Sequence, residues 1–170
     1  MVRVSGKIKR LLVDAGLVTD EAWNSAREKG GNVIETLLTS GGLDEASLLE
    51  ALARSASVAP VDLQRITCDP AAIEAVSQDT CIEFGILPIS RNKDVLTIAV
   101  SDPFDVLLLD DLKRRTGCQI RQVVGSPAVL KRALDKVFQT GEKQVESLLG
   151  EVKADGELEV KVDETNKVED

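Results

Sequence analysis

LPISRNKDVLTIAVSDPFDVLLLDDLKRRTGCQIRQVVGSPAVLKRALDKVF (residues 87–138) changes hydrophobic period repeatedly, and each change carries a turn signal. Ile86–Ile89 and Val95–Val100 are strand-like runs separated by SRNKD, the pattern of a hairpin. Asp102-Pro103 then opens a helix, with Asp105 placed at N3 to face the same backbone donors. That helix carries Leu108, Leu109 and Leu112 on one face. Lys113, Arg114 and Arg115 lie in its last turn, where cations complement the helix dipole, and Gly117 ends it. Residues 118–124 alternate like a strand, and Ser126-Pro127 opens a final helix with Leu130, Leu134 and Phe138 inward. Upstream, Asp69-Pro70 starts a helix that runs through Ile73 and Val76, with a further turn around Cys81-Ile82 that stops at Gly85. The order α-β-β-α-β-α describes a small open sheet with helices against it.

Farther upstream the texture is wholly helical and internally repeated. Ile8, Leu11, Leu12 and Ala15 share one helix face, and Gly16 breaks it. After a cap at Thr19 or Asp20, a second helix turns Ala22, Trp23 and Ala26 inward and ends near Gly30-Gly31. A shift of 25 residues repeats the scheme: Val33 matches Ile8, Leu37-Leu38 match Leu12-Val13, Gly41 matches Gly16, Leu43 matches Val18 and Leu48 matches Trp23. Asp44 caps the fourth helix. One helix hairpin cannot bury its apolar face alone, so the two copies must pack on each other. VAPVDL (58–63), with its Pro60, reads as an extended connector.

The expected fold class is therefore α+β. A helical subdomain of two repeated hairpins covers 1–57, a small α/β subdomain covers 58–139, and an acidic linker without fixed structure covers 140–170. Residues 141–170 hold ten acids and four bases, which places −6 of the formal net charge of −8 in that tail. The remaining body is nearly neutral and contains no Tyr and one Trp, which argues against nucleic acid as a partner. No apolar run approaches a membrane span, and the basic N-terminus lacks the apolar core and cleavage site of a signal peptide. Direct membrane insertion is not expected.

The candidate chemistry is sparse. Histidine is absent, which removes Ser-His-Asp and Cys-His arrangements and imidazole metal sites. Cys68, Cys81 and Cys118 have no CxxC or zinc spacing, so no metal is expected. Their odd number without a secretion signal suits reduced thiols in a cytoplasm. Asp102, Asp105, Asp110 and Asp111 crowd one segment, but capping and a solvated helix face account for them. Structural caps are expected at Asp69, Asp102, Asp105 and Ser126. GxxxxGK[ST] does not occur, and Gly30-Gly31 and Gly41-Gly42 have no flanking strand, so they are turn glycines. Trp23 sits where Leu48 stands in the second copy and is a core position. No nucleophile and base are set together, so no catalytic residue is assigned.

With Leu87-Pro88, Ala99-Val100-Ser101-Asp102-Pro103, Asp111-Leu112, Gly117 and Phe138 at their spacing, residues 87–138 resemble the α/β part of the N-terminal domain of secretion-assembly ATPases. These ATPases drive type II secretion and type IV pilus assembly. The upstream repeat, joined through ALARSASVAPVDL (51–63), is similar to the helical subdomain of the same domain. The resemblance implies a cytoplasmic, non-catalytic regulatory and docking domain, joined by an acidic linker to an ATPase core. It implies as partners that core and the cytoplasmic part of an inner-membrane platform protein, through which the chain would sit peripherally at the membrane.

Some members bind cyclic di-GMP through the repeat, each copy carrying RLG before the first helix core and a Gln near the end of the second. The positions carried over are Lys7, Leu12, Gly16 and Leu17 in the first copy, and Asn32, Leu37 and Gly41 in the second. Here the Arg positions hold Lys7 and Asn32, the Gly positions Lys9 and Ile34, and the Gln positions Gly30 and Ser55. Arg makes bidentate phosphate contacts that Lys and Asn do not reproduce. The resemblance thus implies a retained scaffold with a degenerate ligand site. No cofactor is expected; the alternative is a cyclic di-GMP receptor module.

Overall fold

The computed structural model describes residues 6–139; residues 1–5 and the acidic tail lie outside the described residues. The helices are α1 (Gly6–Asp14), α2 (Asp20–Glu28), α3 (Val33–Thr39), α4 (Glu45–Ala56), α5 (Pro70–Ala75), α6 (Gln78–Phe84) and α7 (Val106–Thr116). An eighth, α8, is helical over 127–139 among the described residues. The strands are β1 (Ile86–Asn92), β2 (Val95–Val100) and β3 (Gln119–Val124). Chain through Lys136 forms one compact unit, and a second unit begins at Val137.

The two hairpins close in the same way. Leu12 C=O accepts from Val18 N at 3.3 Å, and Leu37 C=O accepts from Leu43 N at 3.2 Å, 25 residues on. Gly16 and Gly41 supply the left-handed residue in each turn, at φ +69 and +75. Thr19 and Asp44 cap the second helix of each copy by accepting from Ala22 N and Ser47 N. Leu12, Leu37, Leu48 and Leu52 fill the core between the copies, and Trp23 is buried there at 6% exposure, as its place in the repeat required. The match is not perfect at the first turn of α3. Ile34 is buried and Val33 only partly so, because Leu37 has neighbours on its face at both i−3 and i−4.

The α/β part is a three-stranded sheet in the order β1-β2-β3. β1 and β2 pair antiparallel around a tight Lys93-Asp94 turn, so the hairpin loop is shorter than SRNKD. β2 and β3 pair parallel, with α7 as the crossover. Pro88 is tolerated because β1 is an edge strand. A register shift between Pro88 and Ser90 sets Ile89 apart, and its carbonyl accepts from Asp69 N at 2.8 Å. The helix expected over 70–76 ends at Ala75, because Val76 is extended and Ser77 caps α6 by accepting from Thr80 N.

The connector has a definite place. Val124 N donates to Ala59 C=O and Val61 N donates to Val124 C=O, both at 2.9 Å, so Pro60 lies in a parallel bridge beside the end of β3. The Val124 side chain is fully buried within the helical cluster, and Val58 and Phe104 pack against that cluster.

Adjacent glycines after α3 should respond oppositely to alanine. At Gly41 a side chain must adopt φ +75, which should cost about 1–2 kcal/mol. Gly42 has no such φ, and a Cβ there meets Leu37 Cδ2 at an ordinary 3.5 Å, so Gly42→Ala should be neutral or stabilising by about 0.4–1 kcal/mol. Urea unfolding of the two variants checks this ordering; an equal loss at both positions would contradict the turn geometry.

Candidate functional site

The nucleotide-motif positions divide into packing residues and residues committed to local tasks. Leu12 and Leu37 are core, Leu17 packs against the same cluster, and Gly16 and Gly41 are exposed at the turns. Lys7 Nζ stands 5.6 Å from the centroid of the Phe104 ring, a cation–π distance. Lys9 Nζ pairs with Asp20 at 2.8 Å. In the second copy Asn32 is the N-cap of α3, where Oδ1 accepts from Ile34 N at 3.0 Å and Glu35 N at 3.4 Å. Ile34, at the family's Gly position, is 4% exposed and part of the core. Gly30 has φ +77 in the α2–α3 turn, and Ser55 is exposed on α4.

Beside Asn32 lies an open depression of about 490 Å³, lined by Lys29, Gly30, Gly31, Thr36, Thr39 and Ser40 among others. It offers hydroxyls and one lysine but no arginine, and it includes the Glu35 carboxylate. Bidentate recognition of a phosphate is therefore not available there.

The carboxylates of the α/β part serve separate backbone groups. Asp69 caps α5, accepting from Ala71 N at 3.1 Å, and also reaches Arg91 N at 3.4 Å. The cap of α7 is Asp105, which accepts from Leu108 N at 3.1 Å. Asp102, expected to open that helix, instead accepts from Phe104 N at 3.0 Å and caps a turn upstream of it. Asp111 pairs with Arg115 at 2.8 Å. Ser126 precedes α8 and its carbonyl accepts from Leu130 N, but its hydroxyl is buried without a hydrogen-bond partner among the described residues. Gln122 Nε2 donates to Pro103 C=O at 3.1 Å, while its Oε1 is buried and unpartnered among those residues. Among the described residues, no group of three or more Cys, Asp or Glu is gathered to hold a metal.

Sequence reasoning missed two of these features. Phe104 lies within a turn rather than a periodic segment, so nothing in the pattern points to Lys7 from it. Ile34 was legible in principle, since 34 and 37 share a helix face.

A repeated pair of helix hairpins packed against the end of a small β-β-α-β sheet is the architecture of the N-terminal domains of assembly ATPases. A structure of MshE with cdg (cyclic di-GMP) superposes at a TM-score of 0.59 with 27% identity, covering 79% of this chain and 99% of that one. The N-terminal domain of XpsE superposes at 0.61 with 20% identity, covering 79% and 97%, a likeness of fold. The MshEN domain model matches residues 51–144, and the chain belongs to that family. It is 28% identical over 171 residues to the type IV pilus assembly ATPase PilB of Myxococcus xanthus, and 27% identical over 121 residues to PilB of Thermus thermophilus. The chain spans 30% of the first relative and 14% of the second. No described helix is long and apolar enough to cross a membrane.

The thiols have a pH signature. Burial pushes the Cys81 thiol up to about 12 and raises Cys68 as well. Folding thus favours the neutral thiol of Cys81. Its contribution to stability is full below about pH 9, where the unfolded thiol also keeps its proton, and is lost as pH rises towards about 12. The fall in urea midpoint between about pH 8.5 and 10.5 should be smaller in Cys81→Ala than in the parent chain. Identical pH slopes would mean that Cys81 ionises in the folded protein as freely as in water.

Proposed function

We propose that this chain is a non-catalytic regulatory and docking domain of a secretion or pilus assembly motor, coupling the ATPase core to the cytoplasmic part of an inner-membrane platform protein. The proposed organisation is a helical repeat (1–57) as the docking part, an α/β part (58–139) and an acidic linker (140–170) leading to the ATPase core. The proposed location is the cytoplasm, peripheral to the membrane through the platform. One observation carries the reading. The packing and turn residues of the repeat are kept, while positions 7, 9, 32 and 34 are occupied by a cation–π contact, an ion pair, a helix cap and a core side chain. A scaffold maintained without its phosphate ligands suits a protein-binding surface.

The MshE neighbour with cdg favours a second reading, a cyclic di-GMP receptor. The two readings separate on a single pair of measurements with the whole chain. Losing one buried bidentate phosphate contact costs about 2–5 kcal/mol, or roughly thirty- to several-thousand-fold in affinity. Calorimetry should therefore detect no binding of cyclic di-GMP at low micromolar concentration. In pull-downs with the solubilised platform protein, reversing Arg27 and Glu28 on the exposed face of α2 should reduce recovery about tenfold or more. Reversing Asp110 on α7 should not. Tight nucleotide binding by the unmodified chain would put the receptor reading first, and sensitivity confined to α7 would move docking to the α/β part.

A further inference from the structure

A second concavity lies where the two parts of the fold meet. It holds about 370 Å³ and is walled by Gly31 and Glu35 of the repeat, Ile82 and Gly85 at the end of α6, Ser101 after β2, and one face of α8. Its floor is aliphatic, formed where the otherwise buried Leu130 and Leu134 reach the surface. At its side Ile82 is 56% exposed, which makes it one of three large apolar side chains left in water among the described residues. The volume is near the lower end for a small-molecule pocket and suits one or two aliphatic side chains.

The charges around this floor decide what can enter. Glu35 and Asp135 are acidic, and Lys131 is the single base. Lys131 Nζ already faces the Glu35 carboxylate at 3.8 Å. Asp135 has no basic partner among the described residues. The rim is therefore net negative, and its one cation is engaged. A phosphate-bearing ligand or an anionic headgroup would meet the unpaired Asp135 carboxylate and a lysine already facing Glu35. An apolar group flanked by cations would bury Ile82 and supply Asp135 with a counter-charge. Apolar floors rimmed by charge are the usual seats of amphipathic helices.

We propose that this groove takes an aliphatic anchor from a basic, helix-forming segment of a partner protein. The surface is distinct from the exposed face of α2 tested above, and its test does not use the platform protein, so either assignment can fail without the other.

The probe is a synthetic helix-forming peptide with Leu at heptad a and d positions and Lys elsewhere, compared with the same peptide carrying Glu in place of Lys. Anisotropy with the whole chain should show saturable binding of the Lys peptide and at least about tenfold weaker binding of the Glu peptide. Methyl-labelled spectra should shift at Ile82, Leu130 and Leu134. Ile82→Asp and Asp135→Lys should each weaken binding about tenfold or more, and Leu107→Asp, at an 82% exposed position on α7, should leave it unchanged. Asp135 is exposed, so its substitution tests the groove even if Ile82→Asp perturbs folding. Absence of binding, equal binding of both peptides, loss of binding in Leu107→Asp, or methyl shifts centred on α7 would each overturn the proposal.

Discussion

The helical repeat is built from elements that cannot be dry alone. Each hairpin exposes a one-sided apolar face, and stacking the copies buries Leu12 and Leu48 completely and Leu52 almost so. Fully burying a side chain of this size contributes roughly 1.5–3 kcal/mol, and an unstacked hairpin would forfeit most of it. Val124, the last residue of β3, is fully buried in the same cluster. The same residue holds the connector on both sides through its N–H and its carbonyl. Where the sheet ends therefore fixes where the repeat begins to pack. A cut near residue 57 would separate Val124 from the core that buries it, so the proposed boundary marks a change of architecture across a shared apolar contact.

That dependence explains which parts of the fold were legible. The repeat was readable because period and turn chemistry agree in both copies: an apolar pair led by leucine (Leu12-Val13, Leu37-Leu38), a glycine four residues after that leucine, and a cap before the next apolar face. The hairpin and the third strand were readable from their apolar runs and alternation, while the parallel pairing of β3 with β2 came only with the structure. Boundaries failed where side chains compete for the same backbone donors. Asp102 and Asp105 both precede α7, and only the geometry shows that Asp102 satisfies Phe104 N while Asp105 satisfies Leu108 N. Ser77 likewise caps α6 and thereby ends α5 earlier than the apolar spacing of Ile73 and Val76 implies.

The candidate site was less legible because its contacts are long-range. Nothing near Lys7 in sequence announces Phe104, and nothing near Glu35 announces Lys131, yet each pair joins the repeat to the α/β part. Both are partly exposed and modest in energy, since exposed ion pairs contribute at most about 1 kcal/mol. They orient surfaces that the buried contact at Val124 has already brought together. The acidic rim around Ile82 arises in this way, from residues on three elements that no local pattern connects.

A degenerate nucleotide site need not harm the scaffold. A ligand arginine at position 32 must leave its side chain free, whereas Asn32 spends its side chain on two backbone N–H groups at the start of α3. An N-cap of this kind contributes about 1 kcal/mol to the folded state whether or not a ligand is present. Glycine at position 34 leaves room for close approach, whereas Ile34 fills that room with a side chain 4% exposed and adds to the core. Asn32 and Ile34 thus both contribute to the folded state with or without a ligand. On the proposed reading, arginine at 32 and glycine at 34 would give up both contributions, so phosphate contacts and fold stability would draw on the same residues. A surface that recognises protein through exposed helix faces has no such conflict, because the residues it would use lie outside the turns, caps and core that hold the repeat together.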